Sequence, residues 1–421
     1  MRIITTLLFA LFSFALVAQE AEKTLQELFS GANAAYEKED YKVYLDNLRQ
    51  IDERRPNYPI VVYKLAGAYA LNKRKARSVQ KLRQYILMDA TAGFEEDKDF
   101  DAIRKYKGYK RLVALKEALG KKEVHDEVFR TIDVGLIHPE SFVLLDDGTI
   151  LMSSVREKKI VKIDQDNNVS DWLETDLAVM GMEVHKGYLW AATAAIDQME
   201  GYTKEMAGRS LVLQINLETG GIVQGLDYDE NSLIGDIELD NESRIWVSNS
   251  MTPFLGRDNT DTTDFIGGFM RKNYDLELTH FNIQGLTLND DQSALYFADY
   301  VNGIHKVNVE TDDITPVFAP NTSLLKGIDG LYHYKSSLIA IHNGVKPFRV
   351  IQYFLDETGD NILMERIINR GGESLGEPTN GLIKDGYFYY LANSPWPAYD
   401  ENMQIDPAKV KPIEIRRIKL D

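Results

Sequence analysis

The sequence predicts a mainly β fold, a six-bladed β-propeller preceded by a short α-helical unit of tetratricopeptide-like repeats, and three observations carry that expectation. A module of strand, turn and second strand recurs six times in the C-terminal part. Residues 24 to about 120 lack strand alternation and space their apolar and small residues as helices do. A run of alternating residues just ahead of the first module supplies a strand that the last module lacks.

Taken from the N-terminus, Met1-Arg2, the apolar run Ile3 to Val17 and then Ala18-Gln19-Glu20 have the charge, short apolar stretch and small residue of a secretory signal. Residues 1–18 are therefore expected to be removed and the chain exported, to the periplasm or the cell exterior. The apolar run is too short to span a bilayer comfortably and no stop-transfer segment follows it, so no membrane span is expected after cleavage. Residues 19–122 form the helical unit. With residue 25 as repeat position one, Leu28, Ala32, Ala35, Leu48 and Pro56 fall where such a repeat needs apolar, small and helix-ending residues. Starting again 34 residues later places Val62, Leu65, Ala66 and Tyr69 in the same slots. Gly93 to Leu119, with Phe94, Phe100 and Tyr109, closes the array. So few repeats suit a packing appendage first and a docking surface for a protein partner second. The basic run Lys73-Arg74-Lys75-Ala76-Arg77 is read as a solvated helix face.

Residues 123–421 form the propeller. The modules enter at Glu140, Gly181, Gly235, Gln284, Asp329 and Asn380, at separations of 41, 54, 49, 45 and 51 residues, which suits one four-stranded blade each. Their second strands are apolar or aromatic, as in Leu189-Trp190-Ala191, Ile245-Trp246-Val247 and Phe388-Tyr389-Tyr390. The last module shows two clear strands before Ile413 to Ile418, and Val128 to Val134 has the alternation to complete it as an outer strand. That pairing closes the ring and removes its free edges.

Composition narrows the partners. Of 421 residues, 48 are basic and 65 acidic, a formal charge of −17, so nucleic acid and anionic membrane surfaces are repelled where no local basic patch exists. The absence of cysteine excludes disulfides, thiolate metal sites and cysteine catalysis.

In an antiparallel blade the second strand returns to the face where the first began, so the loop after it overhangs the central channel. The entry residues Glu140, Asp236, Gln284, Asp329 and Asn380 then ring one channel mouth, and all five offer oxygen atoms. Oxygen-only donors suit a hard divalent cation; the same residues can instead satisfy backbone groups at the blade starts. The loops Ile196 to Arg209, Met251 to Phe265 and Ser394 to Lys411 carry Met199, Tyr202, Met206, Phe254, Trp396 and Tyr399, a lid suited to a small organic ligand in the channel. His342, ending a second strand on that face, is a candidate acid or base. Asp164-Gln165-Asp166-Asn167-Asn168 starts like a calcium loop but lacks its turn glycine and closing glutamate, and reads as a turn.

His138-Pro139-Glu140-Ser141, Gln284-Gly285-Leu286, Asp329-Gly330-Leu331 and Asn380-Gly381-Leu382 resemble blade starts of the gluconolactonase and senescence-marker-protein (regucalcin) superfamily, over residues 130 to 421. Leu338 to Gly344 with Pro347 and Arg349, and Ala392 to Trp396, are similar to one branch of it. The resemblance implies a divalent metal held by a glutamate, two asparagines and an aspartate, the aspartate also serving as base in lactone hydrolysis. Glu140 and Asp329 match the two acids. The first asparagine falls on Gly235, with Asp236 beside it as a substitute, and the second falls on Gln284. The expected function is metal-dependent hydrolysis of a lactone or small ester, with Asp329 and His342 as catalytic residues and Ca²⁺ as the cation, ahead of Mg²⁺, Mn²⁺ or Zn²⁺. The alternative is a non-catalytic propeller that binds a sugar, metabolite or protein, and a sugar lyase or isomerase stands third.

Overall fold

The computed structural model describes residues 23–228, 231–252, 254–259, 272–275, 280 and 282–421. The expected signal segment and part of one lid loop lie outside these residues. No described helix is long and apolar enough to cross a membrane.

Among the described residues five α-helices precede the propeller: α1 (Leu25–Glu37), α2 (Tyr41–Arg54), α3 (Pro59–Leu71), α4 (Lys75–Met88) and α5 (Lys107–Leu119). Thr24 and Glu27 cap α1 reciprocally, each side chain meeting the other's backbone N–H. Leu28, Ala32, Ala35 and Leu48 are buried as the repeat register requires, and the small alanines let α1 and α2 approach closely. α3 is apolar on nearly every face because α2 and α4 cover it on opposite sides, and Val62, Leu65 and Ala66 are fully buried. Phe94, Phe100 and Tyr109 fill a second cluster that closes the array.

Six antiparallel four-stranded blades follow, each running outward from the channel. Their innermost strands are Phe142–Leu144, Ala178–His185, Ile234–Leu239, Ile283–Leu288, Ile328–Tyr334 and Gly381–Lys384, at the six expected entries. The second strands are buried on both faces between neighbouring blades, which is why they read as continuous apolar runs, with Trp190, Trp246, Phe297 and Phe388 among the largest buried side chains. The sixth blade is completed by Glu127–Ile132, which pairs with Ile413–Lys419, so the ring closes through the strand expected to close it. Glu123–Val124 adds an unexpected fifth strand to blade 5, pairing with Arg370 and Asn369. Between these two short strands the Asp126 side chain is fully buried against the Arg416 guanidinium, its two carboxylate oxygens each 3.0 Å from a guanidinium nitrogen, and accepts further bonds from Asn369 and the Tyr390 hydroxyl.

Side chains stitch every junction of the ring. Glu183 accepts from the Leu239 N–H (2.8 Å), Glu238 from Leu288 (3.0 Å), Thr287 from His333 (3.1 Å) and the Tyr332 hydroxyl from Gly381 (2.6 Å). Thr379 donates to the Glu140 carbonyl (2.8 Å) and Ser141 to that of Met180. Each bond ties one blade start to the next, which fixes the entry residues relative to each other. The inner strands come so close that a Cβ on Gly285 would stand 2.5 Å from both the Asp329 carbonyl oxygen and the Leu331 nitrogen. The Asp164 run is an exposed turn, with Asp164 accepting from the N–H groups of Asp166 and Asn168.

Candidate functional site

A cavity of about 490 Å³ opens at one channel mouth, and all five entry residues singled out for cation binding line it: Glu140, Asp236, Gln284, Asp329 and Asn380. Asp197 and Glu377 bring the lining carboxylates to five, and among the described residues no lysine, arginine or histidine lines the cavity. A second cavity of about 730 Å³ opens below it, and Asp236 and Asn380 border both.

Burial and mutual repulsion dominate the electrostatics. Glu140 is 7% exposed, accepts from the Trp396 indole N–H at 2.8 Å, and is pushed well above the usual carboxylate range by burial and then by the charge of Asp329. Asp329 is pushed up to about 7, by burial first and then by Glu377 and Asp236; a bond from the Asn343 amide at 2.7 Å opposes the rise. Burial raises Asp236 to about 6, although it accepts backbone N–H bonds from Ile237 and Leu286. Burial also raises Glu377, and Lys346 partly offsets it. A site so rich in buried negative charge is stabilised by any cation that enters it.

The donors are not equally free. Asp236 is tied to the backbone, and the Asn380 side-chain oxygen accepts from the Tyr332 hydroxyl at 3.0 Å, toward the lower cavity. The Gln284 amide nitrogen is held by Asn282 at 2.7 Å, leaving its oxygen 3.5 Å from where a Cβ on Gly235 would stand. The longer glutamine thus reaches into the space that the side-chain-free Gly235 leaves. Among the described residues no three carboxylate or imidazole side chains converge tightly enough to cage an ion. The donor set fits a hard cation held by Glu140, Asp329 and amide oxygen, rather than by a carboxylate cage.

His342 is not part of this site. It is fully buried behind the mouth, with one ring nitrogen against the Lys326 carbonyl at 3.0 Å and the other against the Tyr353 hydroxyl at 3.0 Å. Burial and the nearby Arg349 push it down to about 3, so it stays neutral and structural. Of the lid residues, Tyr202 and Trp396 line the cavity, Met199 packs into the core, and Tyr399 bonds to His138 at 2.9 Å. The Phe254 side chain lies outside the described residues. Glu377, Asn343 and Tyr300 also line the mouth and carry no blade-start signature, although Asn343 lies within the Leu338 to Gly344 run.

Fold and cavity together define a six-bladed propeller with an acid-walled binding mouth and an N-terminal helical unit. No family model matches the chain, and no curated protein matches it. Among solved structures it is similar to a gluconolactonase from Xanthomonas campestris, at 11% identity over 72% of this chain and 98% of that one with a TM-score of 0.47. Regucalcin, a calcium-binding protein from Agrobacterium tumefaciens, is 12% identical over 70% of this chain and 94% of its own, with a TM-score of 0.45. Virginiamycin B lyase from Staphylococcus aureus is 16% identical over 72% of this chain and 100% of its own, also at 0.45. At that likeness the fold rests on the chain's own strand pairing, and no activity passes from these proteins to it.

Proposed function

We propose that this chain is a divalent-cation-dependent hydrolase of a lactone or small ester, working in the acid-walled mouth. The observation that carries the reading is a single cavity with five carboxylates and, among the described residues, no cationic side chain. A divalent cation held by Glu140, Asp329 and the Gln284 amide oxygen, Ca²⁺ before Mg²⁺, Mn²⁺ or Zn²⁺, would offset that charge and polarise a substrate carbonyl. Asp329, held near neutrality, is suited to take a proton at physiological pH. Trp396 fixes Glu140, and with Tyr202 and Met180 it supplies apolar wall for the organic part of the substrate. Metal analysis of the purified protein, followed by a panel of lactones and aryl esters, tests this. About one equivalent of divalent cation and turnover that chelation abolishes are expected; a metal-free protein without turnover sinks the reading.

The binding-module alternative is favoured by one fact, that Asp236 and Asn380 spend their oxygens on backbone and Tyr332. In that case a sugar or other metabolite binds without reacting, and the helical unit is available to a protein partner. Export also belongs to this proposal. Intact mass of the secreted chain should show a start near Gln19, and retention of Met1 would refute it.

A further inference from the structure

The helical unit reaches the mouth through a short loop. Asn343 to Phe348 joins Ser337–His342 to Arg349–Leu355 in blade 5 and overhangs the channel. At its near end the Asn343 amide donates to the Asp329 carboxylate at 2.7 Å, and its oxygen accepts from the Tyr300 hydroxyl at 3.1 Å. The hydroxyl end of Tyr300 abuts the next residue: a Cβ on Gly344 would stand 2.5 Å from its Cζ and hydroxyl oxygen and 2.7 Å from the Gly327 Cα, so only glycine fits there. A few residues on, the same loop belongs to the interface with the end of α4. The Lys346 N–H donates to the Met88 carbonyl and the Ala90 N–H to the Lys346 carbonyl, both at 2.8 Å. Val345, 2% exposed, packs with Leu87, Met88 and Leu324, and the Arg349 guanidinium donates to the Leu87 carbonyl at 2.8 Å.

We infer that Asn343 is a positioning residue for Asp329, and that the helical unit acts on the site by holding the loop that carries Asn343. The inference rests on the mouth being the working site. A carboxylate crowded by Glu377, Asp236 and Glu140 is driven away from its neighbours, and Asn343 gives one of its oxygens a fixed donor. Asn343 can do so only while its loop stays put. Tyr300 and Gly344 hold one side of that loop, and two backbone bonds with a small apolar seam hold the other. The helical unit is therefore part of the wall behind the site as well as an appendage to the ring.

The test uses the full mature chain. Leu87→Ala/Met88→Ala thins the seam from the helical side and leaves the loop sequence intact; Val345→Asp places a charge in it; Asn343→Ala removes the donor. In selectively ¹⁵N-asparagine-labelled protein, the Asn343 side-chain amide signal, assigned by its loss in Asn343→Ala, should lie downfield and move toward the free-amide position in Asp329→Ala and in both seam variants. In calorimetric titrations with Ca²⁺ and Mn²⁺, affinity should fall about 10- to 100-fold in Asn343→Ala and in the seam variants, with part recovered in Asn343→Gln. Should Val345→Asp fail to fold, the alanine pair decides. An Asn343 signal that ignores both the Asp329 substitution and the seam variants overturns the inference. If the wild type binds neither cation, the metal reading fails, and the amide signal still decides whether the helical unit positions Asn343.

Discussion

Deleting Glu127–Ile132 should abolish the cooperative unfolding of the propeller, whereas deleting residues 24–115 should lower its stability only modestly. The first deletion strips the outer strand from blade 6 and leaves Ile413–Lys419 as an open edge beside blade 1. It exposes the pocket of Ile132, a fully buried side chain worth about 2 kcal/mol. It also frees Asp126 from its seat against Arg416, and a buried pair broken on one side costs about 3–5 kcal/mol. With the lost strand ladder these losses approach the ~5–15 kcal/mol that hold a typical domain. Removing the helices uncovers a small apolar seam on the propeller, around Leu324 and Val345, a loss of about 1–3 kcal/mol, and opens the Lys346 backbone and the Arg349 guanidinium to water, which replaces their lost partners. Denaturant melts of the two truncated chains decide the matter. A helical deletion more damaging than the strand deletion would mean that the ring is not closed by Glu127–Ile132.

The ring was readable in the sequence because each blade repeats one physical demand. An innermost strand must start with a residue that tolerates the crowded channel, and a second strand buried on both faces must be apolar throughout; Leu189-Trp190-Ala191 and Ile245-Trp246-Val247 meet that demand visibly. The closing strand was readable for a related reason, since a six-residue alternation leaves a trace. Glu123–Val124 leaves none, because two residues have no period. Five residues of the cavity lining were readable because they head strands whose position the repeat fixes. The rest of the site was not, because loops set it: Asn343 and Glu377 reach the mouth through turns that no periodicity describes. His342 shows the opposite failure. A residue at a strand end can face the channel or the gap between strands, and only the Tyr353 hydroxyl and the Lys326 carbonyl beside it settle which.

Asp329→Asn should make the cation-free protein more stable at neutral pH, flatten its dependence on pH, and remove most of its response to divalent cations. Asp329 faces Glu377, Asp236 and Glu140 across the cavity, and the positive charge of Lys346 acts on Glu377. Its folded-state pKa, about 7, lies above the ordinary aspartate value of the unfolded chain. A group raised in this way favours folding fully below its unfolded value, and the benefit is lost as pH rises through its folded value. In chelator the Asp329 carboxylate should therefore cost the wild type stability between about pH 4 and pH 7, on the order of 2 kcal/mol, roughly half of the full conversion because water reaches the cavity. Asparagine cannot ionise, so the variant should lack Asp329's share of the fall and keep the slope that Glu140, Glu183, Asp236 and Glu238 contribute, all four raised by burial. Adding Ca²⁺ at pH 7 should restore stability to the wild type by mass action and do far less for the variant. Any hydrolysis should drop by about two to four orders of magnitude, the usual worth of a proton acceptor. Thermal melts of both proteins from about pH 4 to pH 8, with chelator and with each cation, read all three effects without a known substrate. Parallel pH curves and equal cation responses in the two proteins would show that Asp329 neither carries the repulsion nor holds the ion.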